Sequence, residues 1–76
     1  MNAELINYFK KRNQDVEVSK VFDIGSELLI KTDVRMDPYY FINKETKKIR
    51  GAKIPEDLPT IEKAFVSGNE LSIKKG

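Results

Sequence analysis

Cysteine and histidine are both absent from this chain. Without cysteine no disulfide staples the fold and no thiolate holds a metal, a composition that suits a reducing compartment. Without histidine the commonest metal ligand is missing, and with it the one side chain that titrates near neutrality when unperturbed. General acid–base and nucleophilic catalysis lose most of their usual arrangements for the same reason. The four glycines are scattered, so there is no loop of the phosphate-cradling kind, and no stretch has the spacing of an EF-hand. Two carboxylate pairs, Asp33 with Asp37 and Asp23 with Glu27, read as wet-face and turn residues. No catalytic site, cofactor or metal is expected. The longest apolar run, Tyr39 to Ile42, falls far short of the roughly 20 residues that span a bilayer. The opening MNAELINYFKKRN lacks the order of a secretory signal, in which charge precedes an apolar stretch and then small residues. A cytoplasmic protein with no membrane partner is the expectation.

What the chain does have is charge and pattern. It is 34% charged and 39% hydrophobic, and the apolar residues fall in periodic sets, as in a folded chain. Seventy-six residues make one domain, residues 1–76, with a small core. A chain of this size buries only roughly 60% of its unfolded surface. The net charge of +2 is nearly balanced, below the excess of a dedicated nucleic-acid binder. Its distribution is uneven: residues 43–53 carry Lys44, Lys47, Lys48, Arg50 and Lys53 against Glu45 alone.

Residues 2–12 predict a helix, with Asn2 as N-cap, Glu4 in the first turn and a stripe of Leu5, Ile6 and Phe9 extended by Tyr8 and the stem of Arg12. Lys10, Lys11 and Arg12 then complement the dipole at its C-terminus, a preferred reading over a phosphate-binding patch. Residues 16–24 and 28–36 alternate as two half-buried strands. A two-residue Gly25-Ser26 turn between them would set Lys20 against Lys31 and divide the apolar residues between faces. A three-residue loop instead pairs Ile24 with Leu28, Phe22 with Ile30, Val18 with Val34 and Glu17 with Arg35. It gathers one buried face and is preferred. Asp37-Pro38 breaks the second strand. Tyr39–Asn43 and Lys48–Lys53 follow as a hairpin around Lys44–Lys47, with Ile42 facing Ile49 and the Tyr40 ring over Gly51. The stretch DPYYFINKETKKI resembles the strand–turn–strand with a Lys-x-Thr-Gly turn found in many small bacterial and phage domains, Lys47 standing where that turn has glycine. Residues 57–67 predict a second helix with Asp57 or Leu58 as cap, Pro59 in its first turn, and Gly68 ending it in the left-handed conformation. Residues 70–74 predict a last strand with Leu71 and Ile73 inward, beside the first strand or at the far edge. The expected class is α+β: a mainly antiparallel sheet of four or five strands, order α-β-β-β-β-α-β, with both helices on one face.

Function is then a question of surfaces. In the third strand Tyr39 and Phe41 share one side and Tyr40 and Ile42 the other. With both helices on one face, only one set is buried. If Tyr39 and Phe41 face outward, they join Val21, Leu29, Lys31 and Arg50 on a bare sheet face, with Lys48 beside them. Tyr and Arg concentrate where protein interfaces carry their energy. The leading expectation is a non-enzymatic binding module whose sheet face holds another protein or a second copy of itself. Small inhibitors, immunity-type antitoxins and accessory proteins of mobile elements share this profile of size and chemistry. The alternative is nucleic acid on the aromatic and basic hairpin 39–53, with bases stacked on Tyr39 and Phe41 and phosphates on Lys48 and Arg50. A third arrangement needs no ligand: Arg50, opposite Phe41, covers its ring as a cation–π pair.

Overall fold

The computed structural model describes residues 2–36 and 38–71. The elements come in the expected order: α1 (Asn2–Arg12), β1 (Val18–Asp23), β2 (Glu27–Thr32), β3 (Tyr39–Asn43), β4 (Ile49–Gly51), α2 (Leu58–Ser67) and β5 (Asn69–Leu71). The five strands form one antiparallel sheet in the order β4-β3-β2-β1-β5. The place of the last strand is thereby settled: it pairs with β1. Ile73 lies outside the described residues. No helix among the described residues is long and apolar enough to cross a membrane.

The helices do not share a face. Leu5, Ile6 and Phe9 of α1 pack with Val21, Leu28, Ile30 and Ile42 on one side of the sheet. Ile61 and Ala64 of α2 pack with Phe22, Leu29 and Phe41 on the other. The expectation of two helices on one face is corrected, and the reason lies in the connection. Strands β4 and β5 are opposite edges of a five-stranded sheet, roughly 19 Å apart at about 4.8 Å per strand. The chain between them, with α2 in it, must cross a face of the sheet, and α1 already occupies the other. Three layers result, helix–sheet–helix. The runs Leu28-Leu29-Ile30 and Tyr39-Tyr40-Phe41-Ile42 are the sequence trace of strands covered on both faces.

Two-sided burial also decides the first hairpin. Asp23 pairs with Leu28, Phe22 with Leu29, Val21 with Ile30 and Lys20 with Lys31, and the Ile24 N–H bonds the Glu27 carbonyl. This is the two-residue Gly25-Ser26 turn, in place of the expected three-residue loop. Gly25 has φ +104°, the positive value that a type II′ turn requires at its first position. Dividing apolar residues between faces carries no penalty when a helix waits on each. A bulge at Ser19 resets the alternation, so that Val18 pairs with Thr32 and faces α1 as Val21 does. Glu17 meets Asp33 rather than Arg35, through bonds in both directions. Strand β2 stops at Thr32, whose buried hydroxyl donates to the Pro38 carbonyl at 2.9 Å.

The second hairpin follows its expected register, Ile42 with Ile49 and Tyr40 with Gly51. The Tyr40 ring nevertheless packs 5.3 Å from Phe9, not over Gly51. Of the two cap candidates, Asp57 is the N-cap of α2 and Leu58 its first residue. Gly68 is extended (φ −75°, ψ 164°), not left-handed. Glycine is needed there because a Cβ would fall 2.5 Å from the Ala64 carbonyl oxygen.

Candidate functional site

The bare sheet face expected to bind a partner does not exist. Phe41 and Leu29 are buried beneath α2, and Val21 is buried beneath α1 on the opposite side. Tyr39 is half-buried, edge-on to Phe65 at 6.0 Å. Lys31 is half-buried, and Lys48 and Arg50 are exposed.

Arg50 is engaged in holding the fold. Its guanidinium lies 4.3 Å from the centre of the Phe41 ring, the ligand-free arrangement weighed above. It also bonds Asp57 at 3.0 Å and reaches Glu27 at 3.6 Å. Asp57 accepts the Lys53 N–H at 2.7 Å as well, so β4, the following loop and the start of α2 close on one carboxylate. The Lys53 N–H first, then Arg50, hold the Asp57 carboxyl below its ordinary pKa. The same bond to Asp57 raises Arg50. Lys44 is likewise engaged, bonding Asp23 at 2.6 Å.

Lys47 and Lys48 turn the other way and meet the end of α1. Tyr8, Arg12 and Asn13 on one side, and the turn from Thr46 to Ile49 on the other, line an open groove of about 370 Å³. Among the described residues no acidic side chain lines it. Arg12 stands 4.9 Å from the Tyr8 ring centre, and the Lys47 ammonium 5.8 Å from the same ring. Among the described residues Arg12, Lys47 and Lys48 make no ion pair. The end of α1 does present carbonyl dipoles, worth roughly half a negative charge. Asn13 caps the Phe9 carbonyl through both its backbone and side-chain N–H groups. Half a charge does not offset three full cations.

Lys47 occupies this groove at a conformational cost. Its φ is +62°, the left-handed region. Asn43 builds the turn, its side-chain oxygen accepting the Glu45 and Thr46 N–H groups at 2.8 and 2.9 Å. The position closing such a turn ordinarily takes glycine. A left-handed L-residue costs roughly 1–2 kcal/mol, partly offset by the backbone entropy glycine would lose, about 0.5–1 kcal/mol. Lys47→Gly is therefore expected to stabilise the fold by up to about 1 kcal/mol, a rise in Tm of roughly 4–8 °C per kcal/mol in a thermal melt.

Sequence reasoning placed Lys48 in a candidate site but left Tyr8, Arg12 and Lys47 out. Lysine in the glycine place of the turn was the available signal. Comparison with known proteins returns no match: no family model, curated protein or solved structure is similar to this chain.

Proposed function

We propose that this chain is a small non-enzymatic binding module that holds single-stranded nucleic acid by its phosphates, in the groove between the end of α1 and the β3–β4 turn. One observation carries the reading: Arg12 at the end of α1 and Lys47 and Lys48 of the turn meet around Tyr8, with no acid among the described residues lining the space between them. A flexible single strand follows a recessed surface that a stiff duplex would bridge. The Tyr8 ring is engaged by two cations, which favours contact with backbone over stacking of bases, so binding is sequence-independent. A net charge of only +2 makes it weak, of the order of 10⁻⁴ M at physiological salt. The lack of cysteine fits a cytoplasmic setting.

Titration of the labelled chain with mixed-sequence oligonucleotides tests this. Shifts are expected in residues 8–13 and 44–49. With three phosphate contacts, log K should fall against log salt with a slope of about −2, and Arg12→Ala or Lys48→Ala should flatten it by about 0.7 each. Lys47→Gly should bind more weakly while melting higher. Absence of shifts, or shifts indifferent to these variants, rules the reading out.

A second reading, a protein partner on α2, is favoured by Val66, 87% exposed, with Leu58 also exposed and Ile54 exposed in the loop before the helix. Such binding would respond little to salt and most to Val66→Ala or Leu58→Ala.

A further inference from the structure

The other face of the sheet carries a second cationic surface at the opposite end of the strands. Register sets Lys20 against Lys31 and Lys31 against Tyr39, so the three stand in a row across β1, β2 and β3. Alternation puts them on the α2 side, one step beyond Phe22, Leu29 and Phe41. The helix covers that inner row and reaches the outer one through Phe65. The Phe65 ring lies 4.8 Å from Phe22, edge-on to Tyr39 at 6.0 Å, and 6.0 Å from the Lys20 ammonium. It remains 41% exposed.

Two features of this row call for a ligand. Like charges directly opposite in a sheet are destabilising. Neither lysine makes an ion pair among the described residues that would offset the repulsion. Glu70, opposite Phe22 on the same face, does not close onto Lys20. Cross-strand side chains start about 5 Å apart at Cβ, so two ammoniums reach the oxygens of one phosphate. Beside them lie two aromatic rings, one half-open and one half-buried.

We infer that Lys20, Lys31, Tyr39 and Phe65 form a nucleotide site, in which the two lysines hold the phosphate and the base lies against the rings. A single anion cancels the repulsion between the lysines and draws the Lys20 ammonium off the Phe65 ring, whose exposed part a flat base then covers. The site owes nothing to the groove at the end of α1. The ligand is a free nucleotide or one unit of a strand.

The test is a titration of the full chain, isotope-labelled, with AMP, with adenosine and with inorganic phosphate. AMP should move the signals of all four residues and bind at least about tenfold more tightly than either fragment. Lys20→Glu should abolish that response and keep or raise the melting temperature, because it turns a repelling pair into a complementary one. Arg12→Ala and Lys47→Gly should leave the response intact, which separates this site from the groove. A hexamer of deoxyadenylate added to Lys47→Gly identifies the source: shifts at the four residues tighter than AMP mean a strand, and AMP shifts without them a free nucleotide. Shifts reproduced by phosphate alone, shifts elsewhere, no shifts, or a response that survives Lys20→Glu would each overturn the proposal.

Discussion

Phe41→Ala should bring the protein close to unfolding at ordinary temperature. The ring is 1% exposed, packed beneath α2 with Phe22, Leu29, Ile61 and Ala64 and covered at its margin by Arg50. Removing a buried phenylalanine costs about 3–5 kcal/mol, from lost transfer energy and the cavity left behind. A chain of this length has only about 4–11 kcal/mol in total, at 0.05–0.15 kcal/mol per residue. Its melting temperature should fall by roughly 12–40 °C, read from the loss of helical circular dichroism on heating. Leu29→Ala, at about 2–5 kcal/mol, should behave alike. A residue belonging to a binding surface would lose affinity and leave the melt unmoved. The two roles assigned to Phe41, interface anchor and core, thus predict different observables, and its burial selects the second.

Arg50→Ala and Lys48→Ala, neighbours in one basic stretch, should part in the same way. Arg50→Ala forfeits a cation–π contact, about 0.5–1 kcal/mol at an exposed site, and two solvent-screened ion pairs of about 0–1 kcal/mol each. A loss of about 1–2 kcal/mol of stability is expected, with oligonucleotide affinity unchanged. Lys48→Ala should stay within about 0.5 kcal/mol of the parent in stability and lose affinity. The Arg50 cluster also sets an acid dependence. The Asp57 carboxyl is held low, chiefly by the Lys53 N–H and next by Arg50. Its contribution is present above the ordinary aspartate value, near pH 3.9, and is lost as pH falls through the lower folded value. Arg50, raised, loses its share only in strong alkali. Asp57→Asn should therefore flatten the fall of stability below pH 4, measured by denaturant titration at a series of pH values.

The site was half legible. Lys48 was found from the run of charge around it. Lys47 lies in the same basic run and in the glycine place of the turn, while for Arg12 the helix dipole is the preferred reading over a phosphate contact. Arg12 and Lys47 are far apart along the chain, and neither spacing nor composition joins them. Packing α1 across the sheet does. Tyr39 and Lys31, chosen as members of a wet sheet face, do stand together beside Phe65, but at the rim of a face that α2 covers.

By itself the sequence determined what is local: the order of the elements, the class, the span of α1, and the β3–β4 register with Arg50 across from Phe41. Periodicity, turn residues and cross-strand pairing act over a few residues, so they can be read without the rest of the chain. Only the tertiary structure decided how many faces the sheet would bury. Alternation shows which side chains share a face but not whether something covers it. One buried face required a three-residue loop, while two permitted the tight Gly25-Ser26 turn. That choice moved Val21 and Leu29 to opposite layers, sent Phe41 inside, and set Lys20 against Lys31. The cause is the crossing from β4 to β5, which lays α2 over the face that α1 leaves open.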